Sequence, residues 1–431
     1  MYIVKRFINL SLIISYLLSF DIGPNLSSSN TTLSLVNNPH IIAVMVEFES
    51  DTSGLTSGNG LFLDSTYSIR MVWDSTIATR CDQFIVDRPP HDANYFSSQI
   101  LSLSNYFKSV SNGSVNITGH VIENSNSEKG YYKLDKNMSF YSYSDNRLSL
   151  LFKESLELAR SDIEEYLEVS NINFDDVVFT VFHAGIGQDF SFPTFDPSIY
   201  DIKSAYIEPS MFGYVEYPII NDYTVSSGLL LPETQNMIFF NSIEDIFYGD
   251  STYCDYQLGM TGTFAFLMGY ALGLPPLFNT ETGEPGVGIF GLMDYGSNNG
   301  RGVIPSLPSP WTRILNNWIS PLNMTSSASL NSFVFEMQPN NIYQFDISDY
   351  EYFLIENKIN LLEDKLSLND LVSNYNGPYD FGEFSDSYNN WFDALISVND
   401  TFNIFEFSED SVITNVSSYD LGLPESGILI W

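Results

Sequence analysis

Residues 41–48 (IIAVMVEF) form a nearly unbroken apolar run of strand length, which predicts a strand buried on both faces. Residues 95–110 place Ile100, Leu103, Phe107 and Val110 on one helical face, and Asn112-Gly113 supplies a stop. Residues 115–123 (VNITGHVIE) alternate as a half-buried strand does. From Asp145, read as a cap, one long helix is expected, because Leu148, Phe152, Leu156, Ala159, Ile163 and Leu167 recur every three or four positions. Residues 177–182 (VVFTVF) predict a second buried strand that ends in a turn at His183-Ala184-Gly185, and residues 237–240 a third. Strands separated by helices give an α+β or α/β class with a mixed sheet. Residues 261–274 are apolar on every helical face, so this helix should be central, ended by Gly273 and Pro275-Pro276.

A Gly-rich loop is expected over residues 279–302. Beyond Trp318 short alternating runs dominate, including residues 332–337 and 352–356, with a long polar loop expected over residues 369–400. The expected organisation is an export signal (1–20), a linker rich in Ser, Asn and Thr (21–39), a main domain (40–320) and a β-rich region (321–431). Residues 426–431 (SGILIW) read as the interior of a strand, so a chain continuing past Trp431 is expected.

The export reading rests on Lys5 and Arg6 followed by a mostly apolar stretch over residues 7–20, too short for an ordinary membrane span. No clean small-x-small cleavage pattern follows, which leaves an uncleaved, anchored form as the alternative. No later segment is long and apolar enough to span a bilayer. The chain has 53 acidic and 17 basic side chains, a net charge of −36, which argues against nucleic-acid and anionic-membrane partners. With 44% hydrophobic and 15% aromatic residues it has ample material for a core. Cys81 and Cys254 could form a disulfide, closing a loop of about 170 residues and stabilising by about 5 kcal/mol, or remain buried thiols.

Residues 264–319 read FAFLMGYALGLPPLFNTETGEPGVGIFGLMDYGSNNGRGVIPSLPSPWTRILNNWI. This segment resembles the catalytic segment of the immune inhibitor A family of secreted zinc metallopeptidases (peptidase family M-six), which carries HEFGHALGLPDLYD, a Gly-rich loop with a Met turn and a Trp-containing helix. In order along the chain, IIAVMVEFES, NYFKSVSNGSVNITGHV, FDDVVFTVFHAGIGQD, EYFLIENK and SGILIW resemble further family segments, so the resemblance covers residues 40–431. It implies a zincin-like metallopeptidase domain, with a mixed sheet and a central active-site-type helix, followed by a β-rich region. In the family two imidazoles at i and i+4 hold zinc, a Glu beside the first takes a proton from zinc-bound water, and a later acidic residue completes the set. On this chain those positions fall on Phe266, Leu267, Tyr270 and Pro276. Apolar replacement of all but one predicts no zinc and no zincin-type hydrolysis. Met293, in Gly291-Leu292-Met293-Asp294, matches the Met turn and is expected to pack only.

Chemistry elsewhere is sparsely signalled. His183 with Asp189 six residues on is the candidate for a relocated site. Asp245, Asp250 and Asp255, beside Glu244, could take calcium, as could Asp380, Glu383 and Asp386, although solvated acidic loops explain both. Trp311 and Trp318 have the i, i+7 spacing of one helix face and should pack. No Gly-x-Ser-x-Gly elbow or P-loop is present. The expected function is a secreted, non-catalytic pseudopeptidase that binds a peptide, a protein or a surface polymer, with no cofactor. The alternatives are an active hydrolase with a relocated site, and a structural cell-surface component.

Overall fold

The computed structural model describes residues 38–51, 56, 58–64, 86–189, 199–236, 257–324, 341–348, 351–362, 365–374 and 391–431. The expected signal segment, Cys81 and Cys254, both acidic clusters with Asp245, Asp250 and Asp255, and the strands expected at 237–240 and 332–337 lie outside the described residues.

The first half of the chain runs β1 (His40–Glu47), α1 (Ala93–Val110), β2 (Thr118–Ile122), β3 (Tyr132–Lys133), α2 (Met138–Tyr141), α3 (Asp145–Leu158), α4 (Arg160–Ser170), β4 (Val177–Ile186), β5 (Ala205–Ile207), α5 (Pro209–Phe212), β6 (Ile219–Ile220), β7 (Tyr223–Thr224) and β8 (Gly228–Thr234). The second runs α6 (Thr261–Ala271), α7 (Pro310–Leu315), β9 (Leu322–Asn323), β10 (Ile342–Asp346), β11 (Tyr352–Lys358), α8 (Leu368–Ser373), α9 (Trp391–Ser397), α10 (Asn399–Phe402), β12 (Phe405–Phe407), β13 (Ile413–Val416) and β14 (Gly427–Ile430).

The architecture is mixed α and β. The main sheet has the order β2-β1-β4-β8-β5, with β3 beside the end of β1. Its strands pair in parallel except β5, which runs antiparallel along β8. The apolar runs of β1 and β4 lie side by side, Ile42 opposite Phe179 and Val44 opposite Val181, and helices cover both faces, so neither strand needs a polar side. Phe182 stacks on Phe96 of α1 at 4.3 Å and meets Phe264 of α6 edge-on at 5.7 Å. Phe179 and His183 turn to the opposite face, where Phe152 of α3 packs beside Gly228 and Phe48 lies 6.0 Å from the His183 ring. The β1-to-β2 and β2-to-β4 connections therefore use opposite faces. The carboxyl ends of β1 and β4 mark the point where strand order reverses.

Several expectations are corrected. The single long helix from Asp145 is two: Ser144 is the cap, and the chain bends at Ala159, whose φ and ψ of −89° and 1° leave the helical range. The strand of residues 177–182 continues through Ile186, so His183 sits within β4 and not in a turn. Trp311 and Trp318 do not share a helix face. The helix α7 ends at Leu315, Trp311 is 45% exposed, and Trp318 lies past Asn317 (φ 57°), buried edge-on against Phe107 at 6.3 Å.

After residue 320, strands β9, β10, β11 and β14 form a second sheet in the order β14-β11-β10-β9, and β12 pairs with β13. Helices are present here too. α8 and α9 fall inside the stretch read as a long loop, and a capping box between Ser367 and Asp370 starts α8. The hairpin β12–β13 clasps α1: Ser102 Oγ donates to the Ile413 carbonyl and Asn105 Nδ2 to that of Thr414, both at 2.8 Å, and Tyr106 packs edge-on with Tyr419 at 4.9 Å. A buried charge cluster anchors the second sheet. Arg313 pairs with Glu356, Lys358 Nζ lies 3.3 Å from Glu356 and from Asp420, and the Trp431 indole donates to Glu356 Oε2 at 3.0 Å. Among the described residues no helix is long and apolar enough to cross a membrane.

Candidate functional site

The helix α6 is buried from Thr261 to Tyr270 without a break, which fits its sequence TGTFAFLMGYA: no position carries a charge that would need water. Its glycines mark close approaches. A Cβ on Gly262 would strike the Ser297 carbonyl, and one on Gly269 would strike Met293 Sδ. Met293 therefore packs directly beneath the helix. Gly273, at φ 79°, closes the helix. Its N–H donates to the Tyr270 carbonyl at 2.9 Å and the Leu274 N–H to that of Gly269 at 2.8 Å, the paired bonds of a Schellman end.

The loop that carries Met293 is held by one carboxylate. Asp294 Oδ2 accepts from the N–H groups of Gly286, Val287 and Gly288 at 2.9, 2.8 and 2.7 Å, and Oδ1 from that of Tyr295 at 2.8 Å. The Leu277 N–H donates to the Met293 carbonyl at 2.9 Å, drawing the chain after α6 over the same turn.

Phe266 and Tyr270 share one face of α6, one turn apart, with rings edge-on at 5.1 Å. Phe266 lies 6.2 Å from Phe278, and Tyr270 stacks on Tyr206 of β5 at 6.0 Å. Leu267 is fully buried and Pro276 partly so. The side chains at these positions do not fit zinc. Phe266, Leu267 and Pro276 offer no side-chain lone pair, and the Tyr270 phenol is pushed well above its usual range by burial, with the Asp294 and Glu208 charges adding to the effect. The phenol stays protonated at neutral pH, and its buried oxygen has no hydrogen-bond partner.

His183 and Asp189 are not brought together. His183 faces away from α6, its Nδ1 donates to the Ala184 carbonyl at 2.9 Å, and its buried Nε2 has no partner. Burial pushes its pKa down to about 4, so it is neutral at pH 7. Asp189 is taken up by the Ser204 N–H at 2.8 Å, the Ser204 hydroxyl at 2.5 Å and the Gln235 amide at 2.5 Å.

A polar cluster that the sequence reading missed sits at the carboxyl ends of β4 and β8, on the α1 face. His91 Nδ1 lies 2.7 Å from Glu233 Oε2 and its Nε2 3.2 Å from the Asp87 carbonyl, all buried. Glu233 also accepts from the N–H groups of Gly185 at 2.6 Å and Leu63 at 2.9 Å. Asp87 accepts from the Gln99 amide at 2.8 Å and the Met260 N–H at 3.2 Å, and burial raises its pKa to about 6. Every oxygen of Glu233 is engaged by the protein itself, so this cluster pins the start of α1, the end of β8 and residues 58–64 together. The available signal was a lone Glu closing an apolar run, GLLLPE, with a Pro inside it that argued against a central strand.

Among the described residues no group of three or more His, Cys, Asp or Glu side chains gathers as a metal set. The chain matches no protein-family model, and it matches no curated protein.

Proposed function

We propose that this protein is an exported, degenerate relative of the M-six metallopeptidases that binds polypeptide and does not cut it. The observation that carries this reading is the aromatic and aliphatic filling of one α6 face: Phe266, Leu267 and Tyr270 stand where the resembled motif has two imidazoles and a general base, above a Met turn that still packs on Gly269. Hydrolysis by that family's route needs a metal-activated water and a base beside it, and these side chains supply neither. These α6 side chains are packed interior, and the surface left for binding is their rim, where Tyr206, Pro276, Leu277 and Phe278 are partly exposed. The zincin-like family assignment, the export and the loss of catalysis are all parts of this one proposal.

The test is an incubation of the purified chain with fluorogenic unfolded peptides, with and without a chelator, beside a calorimetric titration of the same peptides. Binding without cleavage is expected. Chelator-sensitive cleavage would defeat the proposal.

A further inference from the structure

We propose that Lys358 and Asp420 become joined by a covalent isopeptide bond, made by the folded chain itself with Glu356 as the catalytic residue. The three side chains meet on the inner face of the second sheet. Lys358 closes β11, Glu356 stands two residues earlier on the same face of that strand, and Asp420 lies on the single 3-10 turn Tyr419–Gly422 that follows β13. They are 6%, 3% and 4% exposed, so water is excluded from the place where they meet. Lys358 Nζ lies 3.3 Å from Asp420 Oδ1 and 3.3 Å from Glu356 Oε1. Both carboxylates are fixed by other donors. Asp420 Oδ2 accepts from the Ile359 N–H at 3.3 Å, while Glu356 pairs with Arg313 and accepts from the Trp431 indole on Oε2 at 3.0 Å. Asp420 Oδ1 is buried and takes no aligned hydrogen bond, so the group that faces it is the lysine nitrogen.

The carbon to be attacked, Asp420 Cγ, is one bond beyond that oxygen. One proton passes from the Nζ ammonium to the Asp420 carboxylate, which frees a lone pair on nitrogen and makes the carboxyl a better electrophile. Nζ then attacks Cγ and the C–N bond forms. Glu356 takes a second proton from nitrogen and delivers it to the departing hydroxyl, so the C–O bond breaks and water leaves. The third proton stays on the amide nitrogen, and Glu356 ends ionised as it began. No oxidant or outside reagent is needed. Burial supplies the drive. Four charges share this interior, those of Arg313, Glu356, Lys358 and Asp420, and the attraction among buried charges offsets their desolvation only in part. Condensation turns two of the four into a neutral amide and leaves Arg313 and Glu356 as a balanced pair. The bond would tie β11 to the turn whose Tyr419 packs on Tyr106 of α1, fastening the second sheet to the main domain.

The experiment is mass spectrometry of the purified full chain, denatured and reduced, both intact and after trypsin. After allowance for each substitution, the parent should be lighter by one water than Lys358→Arg and Asp420→Ala. Its digest should contain a branched peptide joining the segments of Lys358 and Asp420, with no cleavage after Lys358. In freshly purified Glu356→Gln the linked fraction should fall at least about tenfold. A parent digest with free Lys358 and no branched peptide overturns the proposal, and this result does not depend on any variant folding. A missing water that persists in both Lys358→Arg and Asp420→Ala overturns it too, as dehydration elsewhere in the chain. Linkage at the parent's level in Glu356→Gln overturns the catalytic role given to Glu356.

Discussion

His183 and Asp87 are buried ionisable groups whose shifts oppose each other. His183 titrates near 4 in the folded protein against 6.5 when exposed, so its contribution is full above pH 6.5 and is lost as pH falls toward 4. Asp87 titrates near 6 against 3.8, so its contribution is full below pH 3.8 and is lost as pH rises through 6. Each amounts to about 3 kcal/mol and the windows overlap, so the two largely cancel between pH 4 and 6. Asp87→Asn should uncover the histidine: urea unfolding at stepped pH should show stability rising with pH more steeply than in the parent, by about 3 kcal/mol across that window. A variant profile parallel to the parent's would contradict this. At this scale little was legible in the sequence. His91 and Glu233 are 142 positions apart and meet only because β4, β8 and α1 bring their ends together. No local spacing announces such a pair.

Among the elements, α6 was the most legible, because its all-round apolar character leaves only burial as an explanation. β8 was not legible. Pro232 sits in a strand with neighbours on both sides, and it is tolerated where the β4 pairing shifts register between His183 and Ile186, so its missing donor falls at the irregularity. The bend at Ala159 carries no Gly or Pro to announce it, and α8 is too short for periodicity to show. The two glycines of α6 make a paired prediction. Gly262→Ala drives a methyl into a backbone carbonyl, which cannot yield, whereas Gly269→Ala meets the mobile thioether of Met293. Alanine gains about 1 kcal/mol of helix propensity at either site. Gly262→Ala should nonetheless destabilise by about 2 kcal/mol or more, and Gly269→Ala by clearly less, in denaturant melts. The reverse order would contradict the packing described for α6.

At the scale of the whole molecule, charge opposes compaction. With 53 acidic against 17 basic side chains, the folded chain gathers like charges that an unfolded chain spreads apart. Raising salt from about 0.02 M to about 0.5 M shortens the screening length from tens of ångströms to a few, and the thermal midpoint should rise by several degrees. A midpoint that falls with salt would mean that exposed ion pairs outweigh the repulsion. The buried Arg313–Glu356–Lys358–Asp420 cluster is shielded from that screening and should hold the second sheet at either salt. The mixed α and β class was readable from alternating strand and helix patterns, but the hairpin β12–β13 reaching back onto α1 was not, since contacts such as Ser102 with Ile413 span 311 positions.

The central claim is that Phe266, Leu267, Tyr270 and Pro276 have turned a metal-type site into an aromatic and aliphatic one. The most direct measurement is elemental analysis of the purified chain after dialysis, read as zinc per molecule. The account predicts zinc far below stoichiometric. Stoichiometric zinc that resists dialysis and leaves with a strong chelator would contradict it, because it would require ligands that these four side chains do not provide.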